Sequence, residues 1–82
     1  METLADASAN ATDPTPGYGY RIQVARLTVN KTARELAQTV GITYGTVRRY
    51  ELEQITPSDE NLTRIAKACR VTAAYLKFGE LP

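Results

Sequence analysis

The stretch TARELAQTVGITYGTVRRYELE, residues 32–53, decides the fold. It reads as two short helices joined by a turn of about three residues centred on Gly41. Thr32-Ala33-Arg34-Glu35 fits a reciprocal capping box, which sets where the first of the two begins. Ala33, Leu36, Ala37 and Val40 then fall on one stripe of that helix. Gly41 ends it, because glycine tolerates the positive φ of a sharp turn where a Cβ would be strained. Thr43 caps the second helix, which runs to about Leu52 and turns Val47 and Tyr50 inward. Ala37 is small where the two helices must cross closely, and Ile42 and Val47 fill the angle between them. These are the requirements of a helix-turn-helix, whose second helix faces solvent at a steep angle.

Outward from this unit the helical periodicity continues. A first helix runs from Tyr18 to about Val29, with Tyr18, Ile22, Ala25 and Val29 at helical spacing, and Asn30 suits a left-handed stop. Residues 53–57 read as a loop. Ser58 caps a fourth helix whose first turn carries Asp59 and Glu60, suited to the positive end of the helix dipole. Leu62, Ile65, Ala66 and Cys69 make its inner face. Thr72 caps a short fifth helix with Tyr75 and Phe78 inward, closed by Gly79 and stopped by Pro82. No segment alternates like a strand. The predicted class is all-α, a compact five-helix bundle over residues 18–82 with helices 2 and 3 forming the helix-turn-helix. Residues 1–17, METLADASANATDPTPG, are small, polar and broken by Pro14, Pro16 and Gly17. They read as a flexible leader, with an ordered arm against a partner as the alternative.

Composition narrows the function. A chain of 82 residues makes one small domain, with too little room for a deep catalytic cleft. The single cysteine, Cys69, has no partner for an internal disulfide and reads as a core residue. There is no histidine to serve as acid or base at neutral pH. No Cys or His cluster has metal-ligand spacing, and no glycine-rich phosphate loop precedes a helix. The expectation is therefore no enzyme, no metal, no cofactor and no small-molecule ligand. No run approaches the roughly 18 apolar residues needed to cross a membrane, and a cytoplasmic, nucleoid-associated protein is expected. The leader holds Glu2, Asp6 and Asp13 and no base, whereas from Tyr18 onward ten basic side chains face six acidic ones. The folded part is thus +4, which permits a polyanionic partner.

The helix at 43–52 indicates which polyanion. With Val47 inward, Thr43, Tyr50 and Glu51 share its side, and Gly45, Arg48, Arg49 and Leu52 point outward with Tyr44 on the flank. Glycine near the start of a surface helix costs about 1 kcal/mol relative to alanine, yet it lets a backbone approach a groove floor. An arginine can donate two parallel hydrogen bonds to a guanine edge or clamp a phosphate. Arg48 and Arg49 diverge around the axis, so one is expected on a base and one on the DNA backbone, Arg49 being assigned to the base. Tyr44 can meet a thymine methyl or donate to a phosphate. Thr43 and Thr46 are short donors near the helix N-terminus, where backbone N–H groups already favour phosphate. Gln54 and Thr56, in the following loop, are weaker candidates for the DNA backbone. Against these stands the plainer reading of a solvated arginine face.

Glu35-Leu36-Ala37, Gly41-Ile42-Thr43, Val47, Tyr50-Glu51, Pro57-Ser58, Leu62 and Ile65-Ala66-Lys67-Ala68 recur in a familiar order, followed by Val71-Thr72, Tyr75-Leu76 and Phe78-Gly79-Glu80. In that order and spacing, Tyr18 through Glu80 resembles the lambda-repressor-like Cro/repressor (XRE-type) helix-turn-helix family. The resemblance implies base contacts from Tyr44, Gly45, Thr46 and Arg49, with Thr43 and Arg48 near the DNA backbone. It also implies an ion pair between Arg26 and Glu51 that locks helix 1 to helix 3. Glutamine, frequent in the family at the first turn of helix 2, is here Ala33, which leaves Lys31 and Thr32 to supply that backbone contact. Glu53 stands where the family usually has glycine, and Cys69-Arg70 replaces a frequent Leu-Gly pair.

The function so implied is a sequence-specific transcriptional regulator on a double-stranded DNA operator, a repressor of phage or mobile-element style acting as a homodimer. The alternative is a protein-interaction module of the same fold, an antitoxin or bridging factor, using an exposed surface of Leu52, Leu76 and Leu81.

Overall fold

Four of the five helices begin where a hydroxyl can accept the hydrogen bond of an orphan N–H three residues on. In the computed structural model, which describes residues 13–80, they are α1 (Tyr18–Thr28), α2 (Ala33–Val40), α3 (Tyr44–Glu51), α4 (Asp59–Cys69) and α5 (Ala73–Phe78). Thr32, Thr43, Ser58 and Thr72 cap α2 to α5 through their side chains, and Thr32 with Glu35 completes both halves of the capping box. Gly41 closes α2 at φ +86°, and Asn30 takes the positive φ expected after α1. No strand occurs among the described residues.

Each helix sends at least one fully buried aliphatic side chain into a single core: Ile22, Leu36, Val47, Leu62 with Ile65, and Leu76. The helical stripes of α2 and α4 are buried as their spacing requires. Packing follows from these stripes. α3 rests on α2 and α1, α2 rests also on α4, and α5 closes the bundle against α4 and α1. α1 and α3 approach backbone to backbone. A Cβ on Gly19 would lie 2.2 Å from the Glu51 carbonyl oxygen, so only glycine lets α1 sit this close.

Two expectations need correction. Leu76, assigned to an exposed surface, is fully buried, whereas Tyr75 and Phe78, expected inward, are half-buried. α5 has only six residues, too few for periodicity to fix which side turns in, and its contacts with α4 and α1 decide it. The body also begins earlier than Tyr18. The Thr15 N–H donates to the Lys77 carbonyl at 2.7 Å, and Arg21 gathers the strap. Its guanidinium donates to the carbonyls of Thr15, Pro16, Leu76 and Lys77 and to the Thr15 hydroxyl. Residues 1–12 of the expected leader, with Leu81 and Pro82, lie outside the described residues.

Candidate nucleic-acid interface

α3 has little propensity of its own, with eight residues including a glycine. Tertiary contacts hold it. Val47 is fully buried, Tyr50 is buried with its hydroxyl accepting from Asn61 Nδ2 at 2.9 Å, and Glu51 is buried in an ion pair. These three residues fix the inward side, and the rotation of the helix follows from them. Tyr44, Gly45 and Arg49 are exposed, as are Thr43 before the helix and Leu52 after it.

The pairing of Arg26 with Glu51 is present in full. Arg26 Nε donates to Glu51 Oε2 at 2.7 Å and Nη2 to Oε1 at 3.1 Å, while Nη1 donates to the Lys31 carbonyl at 3.0 Å. One arginine therefore ties α1, the α1–α2 turn and α3 together. Arg48 joins the same carboxylate, its Nη1 donating to Oε1 at 3.1 Å with the side chain 40 % exposed. The two adjacent arginines thus differ in kind. Arg48 is partly held by Glu51, and Arg49 has no protein acceptor among the described residues.

The remaining residues singled out from the sequence gather near the two helix starts or lie beyond α3. Thr43 Oγ1 accepts the Thr46 N–H at 3.1 Å and lies 2.8 Å from Thr46 Oγ1, so these hydroxyls are first of all a cap. Thr32 caps α2 with its hydroxyl exposed, and Lys31 is half-buried beside it. Gln54 and Thr56 are exposed in the loop after α3, which Tyr18 anchors by donating its hydroxyl to the Ile55 carbonyl at 2.8 Å. Gly45 meets no steric need among the described residues. A Cβ there would meet only Thr43 Oγ1, at 3.9 Å.

Two residues matter that the sequence did not single out for the site. Arg34, exposed near the start of α2, places its guanidinium carbon 4.3 Å from the centre of the Tyr44 ring. Its position beside the buried Ala33 was the only available signal. Glu53, at a position where the family usually has glycine, takes the left-handed backbone, at φ +59°. Its carboxylate is turned to the start of α1, accepting from the N–H groups of Gly17 at 3.0 Å and Gly19 at 3.1 Å. That places the negative charge at the positive end of a helix dipole. Of the docking surface imagined for the interaction module, Leu52 is exposed, Leu76 is buried and Leu81 lies outside the described residues.

A family model described as helix-turn-helix matches residues 22–76. No match is found among curated proteins. Among solved structures the chain is similar to the P22 c2 repressor in complex with a synthetic operator, at 27 % identity and TM-score 0.71, covering 76 % of this chain and 94 % of that one. The solution structure of the P22 c2 repressor DNA-binding domain is similar at 27 % identity and TM-score 0.73, covering 87 % and 90 %. The clp gene regulator ClgR from Corynebacterium glutamicum shares the fold at 23 % identity and TM-score 0.70, covering 73 % of this chain and 64 % of that one. The present chain thus spans less than two thirds of ClgR.

Proposed function

Because the chain belongs to the helix-turn-helix family, we propose that it binds double-stranded DNA sequence-specifically, with α3 entering the major groove. The observation that carries this reading is the division of α3. Val47, Tyr50 and Glu51 are buried in the fold, while Tyr44, Gly45 and Arg49 are exposed, with Arg34 beside the Tyr44 ring. Its family and repressor neighbours are regulators rather than enzymes.

In this reading Arg49 donates to a guanine edge, and Tyr44 and Thr46 contact bases beside the bare backbone of Gly45. Thr43, Lys31, Thr32, Arg48, Gln54 and Thr56 meet phosphates. One α3 reads about half a site, so a homodimer on a palindrome, its half-sites about one helical turn apart, completes the operator. Repression then follows from occupying a promoter. The P22 c2 repressor bound to its synthetic operator supports the DNA-binding part of this proposal.

The test is selection of bound sequences from a random duplex library, followed by titration of Arg49→Ala on the selected site. The proposal expects a palindromic site, and a loss of discrimination at one base position of about 1–3 kcal/mol. Weak binding with no preferred sequence, unchanged by the substitution, overturns it in favour of an interaction module.

A further inference from the structure

We infer that Arg34 belongs to the DNA interface, as a phosphate-binding residue that also holds the Tyr44 ring in its reading position. The inference rests on the DNA-binding reading above and deepens it. Its starting point is the stacked contact between two exposed residues on different helices, with the Arg34 guanidinium carbon 4.3 Å from the Tyr44 ring centre. Both side chains are exposed, so the contact is not a by-product of core packing. This pair brings together the beginning of α2 and the first residue of α3, the end of that helix at which base contacts are expected.

The chemistry of a stacked guanidinium allows both tasks at once. A guanidinium held over a ring still carries five N–H donors in its own plane, free to meet an acceptor beside the ring. None of them meets a protein acceptor among the described residues. The neighbouring acid does not neutralise the group by contact. Glu35 accepts from the Thr32 N–H at 2.8 Å inside the capping box. The other acids of the helix-turn-helix are also committed, Glu51 to Arg26 and Arg48, and Glu53 to the start of α1. Arg34 is therefore a cation with open donors on the candidate face. A phosphate of the duplex is the acceptor that this geometry fits. Without the guanidinium, Tyr44, a residue 41 % exposed, would lose the neighbour that holds its ring.

The test measures affinity for the selected operator and for an unrelated duplex across a salt series, with the wild type, Arg34→Ala, Arg34→Lys, Tyr44→Ala and the Arg34→Ala/Tyr44→Ala pair. Losing one phosphate contact lowers the slope of log affinity against log salt by about 0.9, and Arg34→Ala should show that drop. Arg34→Lys keeps a charge without the planar fork, so it should restore the slope but not the full ratio of operator to unrelated affinity. The losses from Arg34→Ala and Tyr44→Ala should overlap in the double variant. An unchanged slope for Arg34→Ala, with additive effects of the two substitutions on the affinity ratio, overturns the inference while leaving the DNA-binding reading intact. A wild type without sequence preference removes that reading, and this inference with it.

Discussion

Arg26 and Glu51 face each other across α1 and α3 through two hydrogen bonds, with 8 % and 2 % of their side chains exposed. Two charges removed this far from water depend on each other. Breaking one partner of such a pair costs about 3–5 kcal/mol, whereas replacing both with apolar groups can be close to neutral. Arg26→Met should therefore remove most of the stability of a domain this small, on the order of 5 kcal/mol, as read from a urea midpoint. Arg48 keeps one hydrogen bond to Glu51 and softens the loss. Arg26→Met combined with Glu51→Met should recover stability. A double variant as weak as the single one would contradict this account.

Two glycines separate fold from function. Gly19→Ala sets a Cβ 2.2 Å from the Glu51 carbonyl and forces α1 off α3. The expected cost is about 1–3 kcal/mol, as for other overpacked sites. Gly45→Ala meets nothing closer than 3.9 Å and should stabilise by about 1 kcal/mol, the difference in helix propensity. If α3 enters the groove there, the same variant should bind its operator more weakly. Thermal melts read the first effect and duplex titration the second. Gly45→Ala with wild-type affinity would mean that no duplex approaches that point closely.

Arg70 closes α4 in the left-handed conformation at φ +61°. A side chain pays about 1–2 kcal/mol to sit there, and glycine does not. Arg70→Gly should raise the melting temperature, with a gain of about 1 kcal/mol after the entropy glycine costs the unfolded chain. A lower melting temperature would show that Arg70 makes up the strain elsewhere.

Alkaline pH should loosen the fold through two buried groups. Burial pushes the Cys69 thiol above its ordinary 9.0 and the Tyr18 phenol above its ordinary 10.0. Both are neutral when protonated, and the folded chain holds these protons more tightly than the unfolded one. Their contribution is complete below about pH 9 and is lost as pH rises through the folded-state values. Urea midpoints should thus stay level toward pH 9 and fall beyond it, and Cys69→Ala should remove the thiol's share of the fall. The same burial predicts that Cys69 reacts with iodoacetamide only after unfolding. A midpoint that rises above pH 9, or rapid labelling of the native chain, would refute this.

The parts of the molecule legible in the sequence are those set by bonds a few residues long. The cap of α2 is closed by Thr32 and Glu35, three positions apart, and Thr43, Ser58 and Thr72 act over the same span. Four apolar residues on α4 fall at i, i+3, i+4 and i+7, so their burial on one face follows from helical geometry. α5 marks the limit. With six residues its stripe was ambiguous, and Leu76 became the fully buried residue, while Tyr75 packs against the core only half-buried and Phe78 stays at its margin. At the interface, the exposed positions of Tyr44, Gly45 and Arg49 followed from the phase set by Val47, but the stacking of Arg34 did not.

The sequence by itself determined five helices, the caps that begin four of them and the inward faces of the longer ones, because hydroxyl caps and helical stripes act through neighbours in the chain. Tertiary structure alone decided the rest. Glu53 reaches the start of α1 across more than thirty positions, with |i−j| of 36 and 34. Arg21 binds the end of α5 across 55, and Gly19 meets the backbone of Glu51. Such contacts leave no periodic mark on a sequence, since they exist only once packing has brought distant segments within hydrogen-bonding reach.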